Sequence, residues 1–96
     1  MEQRVAISIW NDRSRPHIVW IEPWGEDYTI LSGEKFIIST VGSDADTGPW
    51  FALVETGGNT QVYVERGSYP QVELDGVQLE CGHNRQAAVA AGRWNE

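Results

Sequence analysis

The sequence predicts an all-β fold, an antiparallel β-sandwich of about seven or eight short strands with a short helical turn at the C-terminal end. Two observations carry that reading. Gly, Pro, Asn, Asp and Ser clusters interrupt the chain roughly every 8–12 residues, and the brief runs between them are rich in Val, Ile, Thr, Tyr and Trp. This is the spacing of a sandwich or barrel rather than of alternating strands and helices. A chain of 96 residues buries one core, so 1–96 is expected to form a single domain.

Strands are expected near 4–10, 17–22, 27–31, 35–41, 50–55, 60–65, 70–74 and 77–80. In the first, Val5, Ile7 and Ile9 alternate with Ala6, Ser8 and Trp10, giving one core face. In the stretch 50–65, a two-residue loop at Gly57-Gly58 pairs Leu53 with Val62 and Phe51 with Val64, and places Ala52 and Tyr63 on the other face. Asp75-Gly76 suits a type I′ turn, whose two central residues need positive φ. That loop pairs Leu74 with Val77 and Val72 with Leu79 on one face, with Glu73 and Gln78 opposite, and a one-residue slip would scramble the pattern. The tail Arg85-Gln86-Ala87-Ala88-Val89-Ala90-Ala91-Gly92 reads as a helical turn ended by glycine, too short to be stable unless docked.

The formal net charge of −7 is spread over both halves of the chain. Without clustered Lys and Arg, neither nucleic acid nor anionic lipid is an expected partner; a basic protein fits the charge, as does plain solubility. No basic segment followed by an apolar run opens the sequence, and no apolar stretch is long enough to span a membrane, so a cytoplasmic protein is expected. With Cys81 as the single cysteine, an intramolecular disulfide and a Cys-based zinc site are both excluded.

The segment Trp20-Ile21-Glu22-Pro23-Trp24-Gly25-Glu26-Asp27-Tyr28 stands out. Glu22-Pro23-Trp24-Gly25 has the residues of a type I turn, with proline second and glycine fourth. The strand before it should end there, because proline cannot donate to a central ladder. Trp24 is then either lifted to the surface or folded over an end of the sandwich, with Glu22, Glu26 and Asp27 near it. An indole flanked by carboxylates suits a sugar, a cation or a basic side chain, so Glu22, Trp24, Glu26, Asp27 and Tyr28 form the expected ligand-binding set. The alternative is a Trp that merely plugs the sandwich end.

This segment, followed by Leu31-Ser32-Gly33-Glu34-Lys35-Phe36, resembles small uncharacterised bacterial proteins carrying a W-x-E-P-W-G-E-D-Y stretch and an L-x-x-G-E turn. The L-x-x-G-E feature is also similar to strand-to-strand turns of cupredoxin-like and immunoglobulin-like sandwiches. The resemblance covers about 20 residues; it implies a sandwich and supplies no activity.

A blue-copper site needs two His, a Cys and usually a weak axial Met. His17, Cys81 and His83 are present, but Met1 is the single methionine and Cys81-Gly82-His83 is too tightly spaced. Asp44-Ala45-Asp46-Thr47-Gly48, with Glu55 in twelfth place, imitates a calcium loop, but Pro49 occupies the sixth place, where glycine makes the sharp turn. It reads as an acidic surface loop. Paired-carboxylate catalysis requires Glu22 to face Glu26 or Asp27 across a cleft, and no nucleophile triad or phosphate loop is apparent. No metal and no cofactor is expected. Trp10, Trp20, Trp24, Trp50, Trp94, Tyr28, Tyr63 and Tyr69 are many aromatics for this length, and Trp10 falls opposite the core face of its strand. The expected function is therefore a non-enzymatic module binding protein, including a second copy of itself, through sheet-face aromatics or an edge strand. Carbohydrate binding through surface Trp and Tyr is the alternative, and a small hydrolase using Glu22, Glu26 and Asp27 a weaker one.

Overall fold

A computed structural model describes residues 2–43 and 47–94. In order along the chain come β1 (Glu2–Trp10), β2 (His17–Glu22), β3 (Glu26–Ile30), β4 (Lys35–Ser43), β5 (Phe51–Thr56), β6 (Asn59–Val64), β7 (Gln71–Leu74), β8 (Val77–Gln78) and the helix α1 (Arg85–Ala90). The eight strands fall where the turn spacing puts them. They form two four-stranded sheets, ordered β1-β4-β7-β8 and β3-β2-β6-β5. The Asp44 and Asp46 positions of the acidic loop lie outside the described residues.

Both hairpins have the register their turns dictate. Leu53 faces Val62, Phe51 faces Val64 and Ala52 faces Tyr63; Glu73 faces Gln78 and Leu74 faces Val77. Asp75 and Gly76 take φ of 52° and 81°, as a type I′ turn requires. One ladder departs from the antiparallel expectation: β2 and β6 run parallel. The chain reaches β6 only after crossing to the other sheet as β4 and returning as β5, a connection long enough for parallel pairing.

Between the sheets, Val19, Ile21, Tyr28, Ile30, Phe36, Ile38, Val62 and Val72 form the buried core, with Ile7, Ile9, Phe51, Val64, Leu74 and Leu79 packed around it. Alternation sends the remaining residues of each strand outward. Asn11 closes one end. Fully buried, its side-chain amide donates to the carbonyls of Ile30 (3.0 Å) and Arg15 (2.8 Å), while its side-chain oxygen accepts from Arg13 N–H (3.0 Å). The residues after β8 cross to the other sheet. Gly82 N–H donates to Asp27 O (2.7 Å), and Thr29 N–H to His83 O (2.8 Å). The helical turn is docked, not frayed: Ala88 is fully buried, and Gly92, at φ 72°, ends α1 with Gly92 N–H on Val89 O and Arg93 N–H on Ala88 O.

That crossing fixes how the sheets align. The segment after β8 leads directly to β3, so these two edge strands lie on one side of the sandwich; the remaining edge strands of the two sheets are β1 and β5. On the β3 side the tail covers the edge. Among the described residues, no strand pairs with the outer edge of β1 or of β5.

Candidate functional site

The strand before the Trp24 segment ends at Glu22, and the Glu22–Pro23 peptide bond is cis, a form that the small intrinsic trans preference of X–Pro bonds allows. Residues 22–25 connect Ile21 to its antiparallel partner Glu26, and Gly25 takes φ 68°.

Period-two alternation then separates the three carboxylates expected around Trp24. Glu26 and Tyr28 lie on the inner face of β3, and Asp27 lies on the outer face between them. Asp27 is buried and held by Arg85, whose Nε and Nη2 donate to its two oxygens at 3.0 and 2.6 Å; Cys81 Sγ lies 3.8 Å from Oδ1. The paired carboxylate raises the Arg85 pKa, first through the hydrogen bond and then through charge. Arg85 also sits 5.0 Å over the Trp94 ring, and Trp94 packs on Trp20 at 5.6 Å. Asp27 therefore latches the C-terminal segment over the outer face of β2 and β3. Glu22, on that outer face, accepts from Gln61 Nε2 at 3.2 Å. Glu26 thus lies on the opposite face of the sheet from Glu22 and Asp27, and the Asp27 carboxylate is engaged by Arg85.

Glu26 is the carboxylate that meets the aromatics. Tyr69, from the loop before β7, donates its hydroxyl to Glu26 Oε1 at 2.5 Å. Burial, followed by the charge of Glu26, raises the pKa of Tyr28, and the hydrogen bond to Glu26 raises that of Tyr69. Both phenols thus stay protonated and able to donate. Trp24 packs edge-to-face against Tyr69, with centroids 5.2 Å apart and planes at 88°. Trp24 is 43% exposed and Tyr69 54%. The expected set Glu22, Trp24, Glu26, Asp27 and Tyr28 is thus divided: Trp24, Glu26 and Tyr28 join Tyr69 at one end of the sandwich, and Glu22 and Asp27 belong to the outer face. Tyr69, counted among the aromatics, was not placed beside Trp24 because it arrives from a loop distant in sequence, with no local pattern to join the two.

A second feature is an open groove of about 380 Å³ on the outer face of the β3-β2-β6-β5 sheet, lined by Trp20, Glu22, Gly25, Thr56, Asn59 and Gln61. Trp20 Nε1–H donates to Asn59 Oδ1 at 3.3 Å.

The third consists of the two open edge strands, β1 and β5. Val5, Ile7 and Ile9 point toward the core yet are only half-buried, and Leu53 of β5, on the inner face, is 56% exposed. Trp10, 62% exposed on the opposite face of β1, stands across from Lys35. Trp50 packs on Gly42, where an added Cβ would come within 2.7 Å of its ring.

Among the described residues, no three His, Cys, Asp or Glu side chains are grouped to hold a metal ion. His17, weighed as a copper ligand, is buried on the inner face with Nε2 2.7 Å from Thr60 Oγ1, which donates to Glu55 Oε1 at 3.4 Å. Its pKa lies below 6.5, lowered first by burial and then by the charge of Arg13. The unfolded chain therefore takes up this proton near pH 6.5 while the folded one resists. The contribution is fully present above that pH and is lost as pH falls toward the lowered folded value. Between pH values of about 7.5 and 5.5, the unfolding midpoint of the parent protein should fall more steeply than that of His17→Gln. Parallel slopes in paired thermal melts would contradict this.

No family model, curated protein or solved structure matches this chain. Function is therefore argued from the chemistry of these three features. No helix among the described residues is long and apolar enough to cross a membrane.

Proposed function

We propose that this protein is a non-enzymatic interaction module that binds protein by accepting an added strand along β1, with a second copy of the chain as the simplest donor. The open edge of β1 carries the reading. β1 offers a nine-residue outer edge, and from Val5 to Trp10 it contains no charge, proline or glycine, the devices that normally blunt an edge. Its inward residues, half-buried in the free sandwich, supply apolar contact for an incoming strand, and main-chain groups supply the hydrogen bonds. The β8/β3 side carries neither invitation: β8 has two residues and β3 is bridged at Tyr28 by His83.

An inward-pointing lysine at Val5 tests the reading, because it desolvates on strand addition yet reaches water in the free sandwich. Light scattering should show concentration-dependent association for the parent protein and a monomer for Val5→Lys. Equal masses for both at every concentration would count against strand addition by a second copy.

Carbohydrate binding is a second reading, supported by the groove beside Trp20. An indole wall with the planar polar groups of Glu22, Asn59 and Gln61 is suited to stacking and hydrogen bonding with a sugar. Glycan-array silence from the folded protein would remove it.

A further inference from the structure

We infer that the sandwich end formed by Trp24, Tyr69 and Glu26 is a binding site for a compact organic cation, an alkylammonium or guanidinium head group. Three observations meet there. The Trp24 and Tyr69 rings stand at 88° to each other and both are substantially exposed, so they present two π surfaces at a right angle. Glu26 is only partly buried. Its carboxylate accepts a phenolic hydrogen bond from Tyr69, and no Arg, Lys or His within ion-pair distance neutralises it among the described residues. Ring faces attract cations through their quadrupole, and a fixed carboxylate at the same corner adds charge complementarity that a neutral ligand does not use.

The surrounding molecule agrees with this ligand class. The formal net charge of −7 draws cations toward the surface. The two other acids of the segment are occupied, Asp27 by Arg85 and Glu22 by Gln61, so Glu26 is the one that meets the exposed rings. The Tyr69 hydroxyl holds the carboxylate beside the two exposed rings, with Tyr28 as a second phenol next to it. The corner lies at a strand end, apart from the edge of β1, so the site stands or falls independently of strand addition.

The test is a titration of the full chain with choline chloride at constant ionic strength, followed by the NMR signals of the Trp24 indole and the Tyr69 ring. The neutral isostere 3,3-dimethyl-1-butanol serves as the control. Saturable shifts centred on Trp24 and Tyr69 are expected, with choline bound at least about fivefold more tightly than the isostere. Glu26→Gln should remove most of that preference, and Trp24→Ala, at an exposed position, should remove saturation. A third arm uses a short peptide containing trimethyl-lysine. Tighter binding than choline identifies a protein side chain as the source of the cation, and equal or weaker binding identifies a free small molecule. Equal affinity for choline and its isostere, or no saturation by choline and peptide alike, would overturn the inference.

Discussion

Replacing Arg85 with alanine should loosen the C-terminal segment from the sandwich and destabilise the protein more than removing Asp27 does. Asp27 is buried and takes two hydrogen bonds from the guanidinium, which is itself half-open to water. Arg85→Ala leaves that carboxylate in a dry site with the Cys81 thiol as its remaining side-chain neighbour, and a buried charge without its partner is the costly half of a broken pair. Asp27→Ala removes the buried charge and leaves a cation that water solvates; its cost is about 2–3 kcal/mol for the lost charge-assisted hydrogen bonds. The double variant should therefore be more stable than Arg85→Ala alone. Urea unfolding of all three variants checks the order, and proteolysis within 81–94 should accelerate most in Arg85→Ala. A double variant less stable than Arg85→Ala would contradict the latch.

Gly67→Ala should cost about 3–5 kcal/mol, combining left-handed backbone strain with overpacking. Gly67 has φ 93°, and an added Cβ would sit 2.5 Å from Thr40 Oγ1 and 3.1 Å from the Val41 carbonyl. Thr40 is buried and cannot swing away freely, because its hydroxyl donates to Ser68 O at 2.6 Å. Ser68 N–H in turn donates to Val41 O at 2.9 Å, fastening the loop that presents Tyr69. The substitution should also weaken the Tyr69 contacts with Trp24 and Glu26, visible as a change in the Tyr69 ring resonances in the folded fraction. Gly33→Ala is the control: its φ is also positive, but nothing lies within 4 Å of its Cβ. It should carry strain without overlap and cost clearly less. Equal losses for the two would contradict the packing explanation.

Local chemistry made much of the fold legible. Asp75-Gly76 and Gly57-Gly58 set two registers, because a two-residue loop leaves one pairing and the apolar alternation accepts it. The division into sheets and the parallel β2–β6 ladder were not legible, since they depend on which distant strands meet across the core. Part of the Trp24 site was readable but misread. Glu26 and Asp27 are consecutive on a strand and must face opposite ways, yet starting the strand at 27 made Glu26 a turn residue and grouped the two. Tyr69 and Arg85, which decide what each carboxylate does, come from remote segments. A buried acid signals that a cation is needed without saying which one. The open edge of β1 was invisible for the same reason: Val5, Ile7 and Ile9 announce a core face, and only the partner sheet's position shows that they are half-covered.

The most direct test of the proposed function is amide hydrogen exchange across Val5–Trp10, measured from dilute to concentrated protein. Strand addition predicts that β1 amides facing the free edge exchange rapidly when dilute and become at least about tenfold protected as the chain associates, with Val5→Lys holding them in the rapid regime. Association that leaves β1 exchange unchanged while protecting another surface, or a chain that stays monomeric with rapid β1 exchange throughout, would contradict it.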